Sequence, residues 1–414
     1  MGVNRFVRSA SPRQLLGAAL GIIAVVAAGS TLAVAASGGG PVPPAKPLAQ
    51  AVHDALAAPP VNGIAADVTL KNSLIDASEL QGSDPLLAGG TGRVWLSDDH
   101  QFRLELQTDG GSQDAQIVVD HGRWWAYDPS SNTVYEGTVS AGSDKRAGAR
   151  ERAGSHHHAV PTVAKIQQEL QRVMKHLGVS TAIPSDVAGQ PAYSVRVTPK
   201  DSGGLIGGAE LAWDAARGVP LRVALYARGD SSPVLELSAT NISYGPQPGS
   251  VFSISPPGGA KVVKVDTGRS ATASERKPAR HRRHGHHAEI TGPAAVARQL
   301  PFSLDAPRAL AGLSRQSVRL LRMSGHPAAL VVYGHGLGSV VVLEQVAGRA
   351  SAARQSSGED RQGLSLPTVA VNGATAQELD TAIGTVLRFT RSGVSYTVAG
   401  SVPRTVADAA ARGL

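Results

Sequence analysis

The chain has 414 residues, a net charge of +8 and no cysteine. The missing thiols exclude disulfides, thiolate chemistry, cysteine metal sites and lipidation at a cysteine. Arg5, Arg8 and Arg13, with a net +6 over residues 261–287, account for more than the whole +8, so the rest is near neutral. That distribution argues against a nucleic-acid-binding fold.

In chain order, residues 1–14 are a basic flank. Residues 15–36 (LLGAALGIIAVVAAGSTLAVAA) are uncharged and apolar. About 20 such residues let a helix cross a bilayer, and the arginines before them keep that end cytoplasmic. Ala33-Val34-Ala35 also reads as a signal cleavage site, so retained anchor and cleaved signal both stand. Either way, residues 37–414 belong outside the cytoplasmic membrane, on a single-pass anchor or secreted. That stretch is long enough for two domains.

Residues 37–47 (SGGGPVPPAKP) read as a tether without means of packing. A short amphipathic helix fits Leu48–Ala57. Strand signals follow at Ile64–Leu70, Gly92–Leu96, Phe102–Leu106, Gln116–Asp120, Arg123–Tyr127 and Thr133–Tyr135. His121-Gly122 is a hairpin turn of the two-residue type. Residues 140–158 form a polar insertion expected to be mobile.

Val163, Ile166, Leu170, Val173, Met174 and Leu177 recur at helical spacing, with Gly178 as the stop. Strands then fit Ala192–Thr198, Ala209–Asp214, Leu221–Ala227, Val234–Thr240 and Phe252–Ile254. Residues 261–295 form a basic, His-rich linker. A smaller unit over residues 296–414 carries strands at Ser317–Arg322, Ala328–Tyr333, Ser339–Glu344, Thr368–Val371, Gly384–Thr390 and Val394–Ala399. A final helix fits Thr405–Leu414. The expected class is α+β, built on antiparallel meanders.

Two stretches resemble known families. VAGQPAYSVRVTPKDSGGLIGGAELAWDAARGVPLRVALYARGDSSPVLELSATNISYG (Val187–Gly245) resembles the second half of the LolA-like lipoprotein-carrier superfamily. GRVWLSDDHQFRLELQ and VVDHGRWWAYDPSSNTVYEG fit its first half, so the resemblance covers residues 48–260. GTVLRFTRSGVSYTVAGSVPRTVADAAARGL (Gly384–Leu414) resembles the C-terminal domain of MucB/RseB-type sigma-factor regulatory proteins.

The resemblance implies a curved antiparallel half-open β-barrel with lid helices, then a smaller α+β domain. It implies shelter for an acyl chain of a lipid or lipoprotein in an apolar cavity. Each methylene kept from water there gains about 0.8 kcal/mol. By residue type and strand phase, the candidate cavity residues are Trp95, Leu104, Trp125, Trp213, Leu221, Val223 and Leu225. Trp124 and Trp125 are adjacent and face opposite ways, so at most one points inward. Arg103 reads as facing solvent rather than a lipid head group.

His156–His158 and His281, His284, His286 and His287 lack carboxylate or cysteine neighbours that would complete a metal site. Gly334–Ser339 lacks the lysine and helix of a phosphate loop and reads as a turn. With no nucleophile or zinc motif, the reading is a non-enzyme without metal or cofactor. The expected function is an extracytoplasmic lipid or lipoprotein carrier or sensor. The alternatives are an RseB-like regulator that binds a membrane-spanning anti-sigma factor, and a non-catalytic envelope scaffold. Expected partners are an acyl chain and the cytoplasmic membrane through residues 15–36, with no nucleic acid.

Overall fold

The computed structural model describes residues 40–74, 88–97, 99, 101–107, 114–138, 160–200, 203–264, 290–323, 326–347 and 367–414. Residues 15–36, the insertion 140–158, both histidine clusters and residues 265–289 lie outside the described residues. Among those described, no helix is long and apolar enough to cross a membrane. The fold is α+β and dominated by strands. It divides into two compact units, 1–202 with 206–267 and 203–205 with 268–414.

The first unit opens with α1 (Leu48–Ala57). A meander follows through β1 (Gly63–Asn72), β2 (Gly90–Ser97), β3 (Phe102–Gln107), β4 (Ala115–Asp120), β5 (Arg123–Asp128) and β6 (Thr133–Thr138). After α2 (Val163–Val173) come β7 (Leu177–Val179), β8 (Ile183–Val187), β9 (Gln190–Pro199), β10 (Ile206–Asp214), β11 (Pro220–Ala227), β12 (Pro233–Tyr244) and β13 (Lys261–Lys264). The pairing of β1 with β12 fuses both meanders into one curled sheet, ordered β13-β6-β5-β4-β3-β2-β1-β12-β11-β10-β9-β7, with β8 beside β9. Its pairs are antiparallel except β13 with β6. Tight hairpins carry left-handed pairs, His121-Gly122 (φ 45° and 77°) and Ala188-Gly189 (φ 57° and 73°), the twist that two-residue hairpin turns require.

Four details differ from the sequence reading. Residues 40–47 are mostly exposed but are held at two points: the Tyr193 hydroxyl donates to the Pro44 carbonyl at 2.6 Å, and Lys46 pairs with Asp54 at 2.7 Å. An extended proline-rich segment has carbonyls to offer, and a buried tyrosine needs an acceptor. Helix α2 ends at Val173, because Leu177 and Gly178 already pair with β9. At Gly178 a Cβ would stand 2.4 Å from Thr198 Oγ1, so close strand approach, not helix termination, demands the glycine. Residues 249–251 are a single 3₁₀ turn and Phe252–Ile254 is not a strand, while β13 pairs where none was expected.

The second unit contains α3 (Pro293–Ala297), β14 (Ala309–Leu310), β15 (Leu313–Met323), β16 (His326–Tyr333), β17 (Val340–Val346), β18 (Thr368–Val371), β19 (Ala374–Thr381), β20 (Gly384–Arg391), β21 (Val394–Gly400) and α4 (Arg404–Arg412). Its sheet runs β14-β15-β16-β17-β21-β20-β19-β18. Val331, Tyr333, Val342, Leu387, Phe389 and Val398 form a core with Ala407, Ala410 and Ala411 of α4. Strand β19 escaped the sequence reading because its inward positions are Ala376 and Glu378, both buried, and a buried glutamate masks the alternation.

Candidate functional site

Register decides which residues share a face, since antiparallel partners stand side by side on it. One row runs Tyr244–Ile64–Leu96–Phe102–Val119–Trp124 across β12, β1, β2, β3, β4 and β5. The next runs Ile242–Ala66–Val94–Leu104–Ile117–Ala126–Tyr135. Toward the other edge, Val195–Leu211–Val223–Leu237–Leu70 continues the same face. The face is apolar from β9 to β6.

Its two halves are covered differently. Over β9 and β10 the face is sealed. Ala51, Val52 and Ala55 of α1 and Ile166 of α2 join Tyr193, Val195, Leu211 and Trp213 in one cluster. Asp214 fixes the hairpin beneath: its Oδ1 accepts the Ala216 and Arg217 amides at 2.8 Å, and its Oδ2 accepts the Tyr244 hydroxyl at 2.6 Å. Gly218 follows at φ +67°, where a Cβ would lie 2.3 Å from the Ala55 carbonyl of α1. Burial and the neighbouring Asp214 push the Tyr244 hydroxyl pKa up.

Across β1 to β6 the described residues leave the face partly open. Leu70, Val94, Leu96, Phe102, Leu104, Ile117, Val119 and Trp124 are half-buried. Val223 is 42% exposed, and Leu237 and Tyr135 are each 39% exposed. Singly exposed apolar residues are ordinary, but a contiguous apolar area is the mark of a binding surface.

The opposite face is polar over one half and covered over the other. Arg222 lies between two buried carboxylates. It bonds Glu210, and its Nη2 donates to Glu236 at 2.8 Å. Burial works against its charge, but Glu236 and Glu210 push its pKa up. Beside β6, the segment leading into β13 returns across this face: Arg103 Nη1 donates to the Val251 carbonyl at 2.9 Å, and Phe252 is buried. Arg103 therefore does not face solvent; it also bonds Glu105 and lies 4.9 Å from the Trp95 ring.

The seven candidate residues divide among these environments. Leu104 and Val223 stand on the open part of the apolar face. Leu225 packs with the cluster under the helices, and Trp213 and Leu221 are buried in core. Trp95 and Trp125 share a row with Arg103, Val118 and Glu136 on the opposite face. Trp124 is the tryptophan on the open part of the apolar face. Ile117, Val119 and Phe102 join it there, and their strand alternation was visible in the sequence without saying which phase faced in. Among the described residues, no three His, Asp or Glu are grouped to hold a metal.

No family model matches the chain, and no curated protein matches it. The chain is similar, at low TM-scores, to several solved structures. One is the complex of Pseudomonas aeruginosa MucA/MucB (TM-score 0.38, 17% identity, 88% of this chain, 94% of that chain). Another is MucB in complex with MucA(peri) (TM-score 0.37, 18% identity, 88% and 94%). A third is a LolA superfamily protein from Nitrosomonas europaea (TM-score 0.21, 9% identity, 51% and 99%).

Proposed function

We propose that this protein is an extracytoplasmic binding protein that keeps an acyl chain of a lipid or lipoprotein on the open half of its curled sheet. The supporting observation is the continuous apolar face from β9 to β6, sealed by helices at one end and half-exposed at the other. An acyl chain needs only apolar walls and release from water. No proton transfer or nucleophile enters the reading, so the role is carriage or sensing, not catalysis.

Row length fits the ligand. From Tyr244 on β12 to Trp124 on β5 the row crosses five strand spacings, about 24 Å at ~4.8 Å each. Half of a typical hydrocarbon core is about 15 Å, so one extended tail fits along it.

The test is binding of a fluorescent fatty acid to the full chain. Ile117→Glu puts a charge on the apolar face and is expected to weaken binding at least tenfold. Gln116→Glu, one residue away on the opposite face, leaves binding unchanged. Equal effects from both substitutions, or no binding by the unaltered protein and no lipid in protein isolated from membranes, contradict the reading.

A regulatory reading has support of its own in the second unit. On the side of the sheet away from its core, Val332, Val341, Ala399 and Val386 form an apolar row, with Val386 37% exposed. A membrane-spanning anti-sigma factor is the partner this reading requires. Retention of a single-pass membrane protein by the full chain, abolished by Val341→Asp, supports it; no such dependence removes it.

A further inference from the structure

We propose that the apolar face takes an anionic amphiphile in one orientation, with Arg217 reading its carboxylate or phosphate head. The inference rests on the acyl-chain reading above and adds the class and the polarity of the ligand.

Arg217 stands in the turn between β10 and β11, and its guanidinium carbon lies 4.2 Å from the centroid of the Tyr244 ring. Tyr244 begins the apolar row that passes through Ile64, Leu96, Phe102 and Val119 to Trp124. A stacked arginine is held flat on the aromatic face and keeps its N–H groups directed outward in its own plane. The guanidinium is thus fixed at one end of a row long enough for a tail.

Its charge is also available. Asp214, the carboxylate beside it, is buried and already accepts two backbone amides and the Tyr244 hydroxyl at 2.6–2.8 Å. Against these, the Arg217 Nη1 contact with Asp214 Oδ2 is long, 3.4 Å, and the Arg217 side chain is 43% exposed. A guanidinium carries five donors, so an incoming anion finds unused ones. Planar, two-point recognition of carboxylate or phosphate is what arginine does better than lysine.

At the far end of the row Asp120 of β4 stands directly across from Arg123 of β5, so acid and base offset each other there. Asp120, next to the β4–β5 turn at Trp124, accepts from Gln101 Nε2 at 2.7 Å and contacts His121. The Gln101 bond holds its carboxyl below the usual range, so it is anionic at neutral pH. The orientation therefore rests on Arg217, the cation stacked against the first residue of the row, which attracts an anionic head.

The experiment compares two probes on the full chain at pH 8 and low salt: a fluorescent fatty acid and the fatty alcohol of the same chain. The unaltered protein is expected to prefer the acid about tenfold, the size of one charge-assisted hydrogen bond. Arg217→Ala removes that preference and leaves alcohol binding intact. Arg217→Lys restores part of it, and added salt weakens it. Equal affinity for acid and alcohol, or equal loss of both in Arg217→Ala with no rescue by Arg217→Lys, overturns the orientation but leaves the acyl reading standing. Failure of both probes to bind the unaltered protein overturns both. An alkyl phosphate of the same chain, compared with the acid, tells which head is preferred.

Discussion

Glu344 places an ionisable side chain in an apolar core. It sits on β17 with no exposed surface, in line with Ala329 and Tyr396 on the core side of the second sheet. Its Oε2 accepts the Asp305 amide at 3.0 Å, while Oε1 has no hydrogen-bond partner among the described residues. Burial pushes its carboxyl up to about 7, against the pull of the Asp305 amide. In the unfolded chain a glutamate ionises near 4.3. Between these values the folded state holds a proton that the unfolded state has lost, so stability falls as pH rises through that window. The loss is on the order of 3 kcal/mol and is complete above about pH 7. Hydrogen exchange of β17 amides is expected to quicken from pH 5 to pH 8 beyond its chemical pH dependence. Glu344→Gln, which keeps an oxygen for the Asp305 amide, flattens that response; an unchanged slope contradicts the assignment.

At the scale of elements, α1 and α2 are decisive because they cover only part of the apolar face. The hairpin motif Trp213-Asp214-Ala215-Ala216-Arg217-Gly218-Val219-Pro220 has a physical account for three of its members. Trp213 fills the core, Asp214 holds the turn, and Gly218 lets α1 approach. The returning segment at 249–264 matters equally on the other face, and its anchor is Phe252. Phe252→Ala is expected to cost about 3–5 kcal/mol in urea unfolding. It should also raise the fluorescence response of Trp95 and Trp125 to quencher. A cost below about 1 kcal/mol contradicts the anchoring role.

For the molecule as a whole, two units with separate cores predict separable folding. Limited tryptic digestion is expected to cut within the basic stretch 265–289, as well as within the Lys- and Arg-bearing insertion 140–158, and to leave two separable units that each retain β-rich circular dichroism. Digestion that unfolds either unit contradicts that independence.

Strand identity was legible wherever apolar and polar residues alternate, as in Phe102–Gln107, and hairpins wherever a His-Gly or Ser-Gly pair interrupts them. Helices α1, α2 and α4 were legible from their spacing. Strands β8, β13 and β19 were not, because β8 and β13 are short pieces held by neighbours and β19 buries a charge. The face was the larger gap. Alternation defines two sides of a strand but does not name the inner one, and only the pairing of β1 with β12 aligns all phases at once. That pairing puts Trp124 rather than Trp125 on the apolar side and sets Arg217 against Tyr244. Composition, charge placement and periodicity are local sums, and so the chain carries them openly. The choice of face, and the meeting of residues far apart in sequence, depend on which strands come together across the whole unit.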